Sequence, residues 1–265
     1  MQYTQLISHM FGTRFKSCFM LLLTGTLCIS AHADLSMQGT TICAAKAYEM
    51  SLKYQQQSAE IQALQLQAYQ IATLRLQHIL DRSPKVKNLA IVIDLDETVL
   101  DNSDFLVSNI QHCIDYTEWT TWSEWEKNGQ PKLIAGSLDF LNFASQHQVA
   151  IFYVSDRSEQ YRAATLNSLK RLGLPQASND HVLLYGKSKE QRRQSIAQNH
   201  QIVLLIGDTL HDFSQDFNQQ QSKRERQAMI EKNQSRFGQD WIMLPNTSYG
   251  AWSKDAFTEM DRPEN

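Results

Sequence analysis

An α/β fold with a parallel sheet covered on both faces is predicted by three features of this 265-residue sequence. Short apolar runs recur at Leu89–Ile93, Val149–Val154, His181–Leu184, Ile202–Ile206 and Trp241–Leu244. Segments with helical spacing of apolar residues separate them. The strands are apolar throughout rather than alternating, the mark of strands buried on both faces. A composition of 42% hydrophobic and 20% charged residues is that of a globular chain long enough for one sizeable core.

The N-terminus stands apart from this pattern. Arg14 and Lys16 precede an apolar run from Phe19 to Ile29, no acidic residue occurs before Asp34, and Ala31-His32-Ala33 offers a small-x-small cleavage site. Residues 1–33 therefore read as a signal peptide cut after Ala33, which predicts a periplasmic or secreted protein. An N-terminal anchor is the alternative, against which the run is short for a bilayer. Cys28 closes the apolar run and raises a lipoprotein reading, but Leu27 stands where such signals have a small residue.

Residues 34–265 form the remaining domain. Loss of Arg14 and Lys16 moves the formal net charge from −3 by two units, to −5. That balance argues against nucleic acid, and against a membrane surface once the signal is removed. A homodimer is compatible with the sequence, which sets no oligomeric state. Cys18 and Cys28 leave with the signal, and Cys43 and Cys113 remain. They are either joined, as an oxidising compartment allows, or two buried thiols. No Cys/His spacing for zinc is present.

From about residue 44 to 80 the chain lacks Gly and Pro, and Ile61, Leu64, Ala68, Ile71, Ala72 and Leu74 recur at helical spacing. This predicts one long helix or two in series, ended by Ser83-Pro84. After the first strand comes a polar, aromatic-rich insertion from Ser103 to Lys132. Helices are then predicted over Leu138–Ser145, over Glu159–Leu172 with a stop near Gly173 and Pro175, and over Lys189–Asn199. The segment Gln215–Arg236, rich in Gln, Lys, Arg and Glu, reads as a solvated helix.

Polar groups cluster at four strand ends. They are Asp94 and Asp96; Ser155, Asp156 and Arg157; Gly186-Lys187-Ser188-Lys189; and Gly207-Asp208-Thr209 with Asp212. In parallel sheets ligands bind beyond the carboxyl ends of the strands. Residues two apart on a strand share a face, so Asp94 and Asp96 can address one pocket. Two carboxylates about 4 Å apart repel by roughly 4 kcal/mol at an effective dielectric near 20, which a dication or a proton relieves. Carboxylate oxygens with room for water and phosphate suit magnesium. A carboxylate beside a cation can act as a nucleophile, a second can carry a proton, and a lysine and a hydroxyl can hold phosphate oxygens. An EF-hand calcium loop is excluded, because the sixth residue from Asp94 is Val99 rather than Gly and a strand precedes it.

These residues resemble the haloacid-dehalogenase-like (HAD) phosphatases and, more narrowly, the bacterial class C nonspecific acid phosphatases. The signatures are Ile93-Asp94-Leu95-Asp96-Glu97-Thr98-Val99-Leu100-Asp101-Asn102 and Leu205-Ile206-Gly207-Asp208-Thr209-Leu210-His211-Asp212-Phe213. Further matches are Phe152-Tyr153-Val154-Ser155-Asp156-Arg157, Lys189-Glu190-Gln191-Arg192-Arg193 and Trp241 to Trp252. The resemblance implies a three-layer sandwich with a small, mostly helical cap, formed by about 103–135 and parts of 214–240. It implies a metal-dependent acid phosphatase acting on phosphomonoesters such as nucleoside 5′-monophosphates. Asp94 would be the nucleophile and Asp96 the general acid and then base. Magnesium, or another divalent cation, would be held by Asp94, the Asp96 carbonyl and Asp208, with Asp212 outside the ligand set. Ser155 would bind phosphate together with Lys189, preferred over Lys187. Phe105 and Tyr249 would line the substrate pocket, while Glu97 and Asp101 would orient the loop. Phe105 replaces the family's usual tyrosine, and Tyr54 its usual tryptophan. Phosphotransfer on the same site and a non-catalytic storage or binding role are the alternatives.

Overall fold

A computed structural model describes residues 43–82, 85–217 and 220–257. The signal-peptide segment 1–33 and the Ser83-Pro84 break lie outside the described residues. The Gly- and Pro-free segment divides into α1 (Glu49–Gln57) and α2 (Ala59–Arg82), after a 3-10 turn over Ala44–Tyr48. Ser58 separates the two helices, and its hydroxyl accepts from the Ile61 amide, capping α2. In α2 the buried positions Ile61, Gln65, Ala68, Tyr69, Ala72 and Leu76 form one stripe.

The strands are β1 (Leu89–Ile93), β2 (Leu100–Asp101), β3 (Lys132–Leu133), β4 (Ala150–Val154), β5 (Val182–Leu183), β6 (Gln201–Gly207) and β7 (Trp241–Met243). Five of them form one all-parallel sheet in the order β5-β4-β1-β6-β7. The other helices are α3 (Ser103–Gln111), α4 (Trp122–Asn128), α5 (Ser137–Gln146), α6 (Arg162–Arg171), α7 (Lys189–Ala197) and α8 (Lys223–Asn233). The solvated helix predicted over 215–236 is realised only in α8, where Ser222 and Glu225 form a capping box.

Alternation along the strands sorts the core into two layers. Ile91, Ile93, Ile151, Tyr153, Leu204, Ile206 and Ile242 meet Ala72 and Leu76 of α2 and Phe140 and Leu141 of α5. Ala90, Val92, Phe152, Val154, Leu205 and Trp241 meet Ile196 of α7 together with Phe213 and Phe217, with Met229 and Phe237 packed alongside. Helices thus cover both faces, as continuous apolar strands require.

The insertion after β1 opens and closes on the two-residue ladder of β2 with β3, which pairs Leu100 with Leu133 and Asp101 with Lys132. Its α3 packs against α1 through Leu52, Leu106 and Ile110, with Tyr116 from the turn after α3 in the same cluster. The open question about the cysteines is resolved here: Cys43 and Cys113 form a disulfide that ties the start of the described chain to the turn after α3.

Candidate active site

Register brings the site together. β1 lies between β4 and β6, with Ile93 opposite Tyr153 on one side and Ile206 on the other. Asp94 follows Ile93, while Ser155 and Asp208 lie two residues past their partners. The end of β1 and its neighbours therefore deliver these groups to one edge of the sheet. The Asp94 amide still donates to the Ile206 carbonyl at 3.0 Å, so the backbone is held in the ladder up to the first aspartate. After Leu95, whose side chain enters the core, the chain turns sharply. The amides of Thr98, Val99 and Leu100 all point at the Leu95 carbonyl, at 3.3, 2.8 and 2.7 Å.

Carboxylate oxygens of Asp94, Asp208 and Asp212 lie within 4.8 Å of one another, all buried. Lys189, the first residue of α7, inserts its ammonium among them. Its Nζ donates to Asp94 Oδ1 at 2.7 Å and to Asp212 Oδ1 at 2.5 Å. The capping box of Ser188 with Gln191 fixes the helix start that aims this lysine. Lys187, two residues earlier, is exposed, so the geometry favours Lys189. Asp208 accepts from Thr98 Oγ1 at 3.0 Å and from Asn246 Nδ2 at 2.7 Å. Asp212 also accepts from the Thr209 amide and hydroxyl at 2.9 and 2.8 Å. Gly207 is required here, because a Cβ would collide with the Asp212 side chain.

Electrostatics tests whether these residues fit a divalent cation. Burial raises the Asp94 carboxyl well above the ordinary range, against the opposing pull of Lys189. Burial, then Asp212, pushes Asp208 up to about 8. Burial would also raise Asp212, but Lys189 and the Thr209 hydrogen bonds hold it below the ordinary value. Burial alone would lower Lys189, yet Asp212 and Asp94 more than offset it. Three buried carboxylates against one ammonium leave two negative charges, matched by one dication. An all-oxygen donor set fits magnesium or a similar hard cation.

Asp96 turns to a different partner. Arg157, 2% exposed, grips it from the loop after β4. Arg157 Nε lies 3.1 Å from Oδ1 and 3.0 Å from Oδ2, and its Nη2 lies 2.6 Å from Oδ1. Asn102 Nδ2 donates to the same Oδ1 at 2.9 Å. The Ser155 hydroxyl, named from sequence as a phosphate ligand, lies 3.5 Å from Oδ2. Glu97 accepts from the Asn102 amide and side chain, both at 3.1 Å, and from the Tyr249 hydroxyl. Burial, then the nearby Asp96, pushes Glu97 up to about 8. Asp101 accepts from the Ser103 amide at 2.9 Å. Both acids therefore brace the loop.

Phe105 and Tyr249 fall into one aromatic cluster. Phe105 stacks on Trp125 with centroids 4.9 Å apart and lies 5.8 Å from Trp122. Trp119 meets Trp122 edge-on at 5.4 Å and Tyr249 edge-on at 5.0 Å. Phe105 and Tyr249 are half-buried, whereas Trp119 is 42% exposed and presents the most open aromatic face of the cluster. Trp125 Nε1 donates to Asn102 Oδ1 at 2.7 Å, linking the cluster to the aspartate loop.

Sequence reasoning assigned no role to Thr98, Asn102, Arg157 or Asn246. Asn246 was findable: it follows the fifth strand, and the rule of polar groups at strand ends applies to β7 as to the others. Arg157 sat in view beside Ser155, but its burial could not be read, since arginine is ordinarily exposed.

The model of the acid phosphatases of the HAD superfamily, subfamily IIIB, matches residues 21–252. The solved structure of the class C acid phosphatase from Bacillus anthracis with tungstate bound is similar at 33% identity and a TM-score of 0.75, over 83% of this chain and 94% of that one. A second structure of the class C acid phosphatase from Bacillus anthracis is similar at 34% identity and a TM-score of 0.74, over 80% of this chain and 88% of that one. The chain belongs to the HAD superfamily, subfamily IIIB, and is an acid phosphatase.

Proposed function

We propose that this acid phosphatase works through an aspartyl-phosphate on Asp94 and depends on magnesium. The observation that carries the reading is the contact of Lys189 with Asp94 and Asp212 inside the three-carboxylate cluster. Asp94 and Asp208, with the Asp96 carbonyl, would hold the cation, and Asp212 would anchor Lys189. A cation held there would supply neutralisation of the charge on the phosphoryl oxygens and on Asp94. Lys189 and the Ser155 hydroxyl would hold the remaining phosphoryl oxygens. Asp94 attacks phosphorus, Asp96 gives a proton to the departing ester oxygen, and Asp96 then takes one from the attacking water. The Bacillus anthracis relative carries tungstate, a tetrahedral oxyanion like phosphate, which supports an oxyanion site of this kind.

The aromatic cluster supports a substrate class. Trp119, the exposed member of the cluster built with Phe105, Trp122, Trp125 and Tyr249, would offer a flat face to a base or ring without reading its edge, which suits nucleoside 5′-monophosphates and other aromatic monoesters. The insertion 103–135 would serve as the cap. The N-terminal 33 residues support export, and no helix among the described residues is long and apolar enough to cross a membrane.

The test is hydrolysis of p-nitrophenyl phosphate by the Asp94→Asn variant with added magnesium. Turnover is expected to fall by about 10⁴-fold or more, since the residual rate comes from binding alone. Chelation is expected to silence the parent and magnesium to restore it. Undiminished turnover by Asp94→Asn would end the nucleophile assignment.

A further inference from the structure

Resting on the proposed role of Asp96, we propose that Arg157 is a positioning residue that makes Oδ2 of Asp96 the oxygen that exchanges the proton. The two oxygens of Asp96 are treated unequally. Oδ1 accepts from Arg157 Nη2 at 2.6 Å, Asn102 Nδ2 at 2.9 Å and Arg157 Nε at 3.1 Å. Those contacts use up its lone pairs. Oδ2 has the shared Arg157 Nε at 3.0 Å and otherwise only the Ser155 hydroxyl at 3.5 Å. The lightly engaged oxygen thus faces the hydroxyl proposed to bind phosphate.

The anchor is itself anchored. Arg157 lies with its guanidinium carbon 5.7 Å from the centre of Trp122 on α4. Glu126 of the same helix accepts from the Ser158 amide at 2.7 Å. Asn102, fully buried, is held by Trp125 Nε1 at 2.7 Å. The helix bearing the aromatic faces therefore sets the orientation of the carboxyl group through both Arg157 and Asn102. A lysine could supply the charge but not the planar fork, which fixes the plane of the carboxyl group so that Oδ1 meets Asn102 and Oδ2 meets Ser155.

In the first half-reaction Asp94 forms its bond to phosphorus and the ester P–O bond breaks, leaving its electron pair on the ester oxygen. Oδ2 delivers its proton to that oxygen. In the second half, water bonds to phosphorus, the bond from phosphorus to Asp94 breaks, and Oδ2 receives the proton that water loses. A misplaced Oδ2 matters most when the leaving group is a poor anion. A p-nitrophenolate departs with little help, whereas an alkoxide needs the proton.

The experiment uses the magnesium-loaded full chain and compares Arg157→Met and Arg157→Lys on p-nitrophenyl phosphate and on glycerol phosphate. Glycerol phosphate turnover is expected to fall about 10²-fold in Arg157→Met, and p-nitrophenyl phosphate turnover about tenfold less. Arg157→Lys is expected to show the same ranking with a smaller loss. Inhibition by tungstate reports the integrity of the oxyanion site and is expected to stay within about threefold of the parent. The comparison is made on kcat/KM, which reports only the first half-reaction, and equal losses there on both esters would overturn the assignment. If Arg157→Met does not fold, the ranking in Arg157→Lys decides. Failure of the underlying mechanism reads differently: Asp96→Asn would then lose no more on glycerol phosphate than on p-nitrophenyl phosphate. An Asp96→Asn variant that loses more on glycerol phosphate, beside a leaving-group-blind Arg157 series, sinks only the present inference.

Discussion

Asp94 and Asp96 leave the same strand two residues apart and meet different kinds of cation. Asp94 faces a lysine shared with Asp212, in a cluster with more negative than positive charge. Asp96 faces an arginine whose fork spans both its oxygens, and Asn102 completes the grip. Ammonium is a compact charge without a preferred plane, whereas guanidinium imposes one. In the proposed mechanism the first environment would receive the phosphoryl group and its cation, and the second would fix the direction of a single oxygen. Two identical side chains thus acquire different tasks from their neighbours, as paired carboxylates do wherever environment separates them.

Substitution of Lys189 tests the first environment. Lys189→Met removes the buried cation between two carboxylates, and turnover is expected to fall about 10²- to 10³-fold. Unlike the Arg157 series, the loss should be the same for p-nitrophenyl phosphate and for glycerol phosphate. A loss that tracked the leaving group would erase the distinction between the two aspartates. The same variant leaves two buried carboxylates without their partner, so its thermal midpoint should drop, and drop less with magnesium present.

Gly207→Ala is a smaller perturbation on the same side. The added Cβ would force Asp212 to shift, and Asp212 is the second anchor of Lys189. Urea unfolding is expected to show a loss of about 1–3 kcal/mol, with turnover reduced less than in Lys189→Met. A fully stable, fully active Gly207→Ala would show that Asp212 has room the structure denies it.

Glu97→Gln probes the Asp96 side through pH. Glu97 is held at about 8 in the folded protein against an ordinary value of 4.5. Between those values the folded state keeps a proton that the unfolded state has lost, so stability falls as pH rises. Its contribution is complete below about 4.5 and exhausted above about 8. Glutamine removes this titration. The variant's stability should therefore decline less than the parent's between pH 4.5 and 8, by up to about 5 kcal/mol. Denaturant unfolding at the two ends of that window measures it, and parallel curves would count against a proton on Glu97.

Much of this was legible from local pattern. The five sheet strands, helices α5 to α7 and the acidic signatures all carry runs long enough for period and punctuation to speak. The β2–β3 ladder was not legible, because its pairing spans the whole insertion. The break at Ser58 was open for the opposite reason. Both flanking segments are good helix, and only the cap to Ile61 shows where one ends. The proposed roles of Asp94, Asp208 and Lys189 rested on motif spacing, and the fold brings these residues into direct or near contact. Asp212, expected outside the metal ligands, lies close enough to Asp94 and Asp208 to share their cluster, though two of its hydrogen bonds go to Thr209 and one to Lys189.

The order of residues alone determined that apolar strands would end in acids and hydroxyls, and hence that a parallel sheet would gather them along one edge. That follows from periodicity and from the cost of burying charge, both of which are local. Only the tertiary structure decided which cation each aspartate meets. Lys189 comes from the start of α7 and Arg157 from the loop after β4, and the choice between them depends on helix starts, side-chain reach and burial across more than sixty residues of chain. Distances of that kind are set by packing, which no short stretch of sequence records.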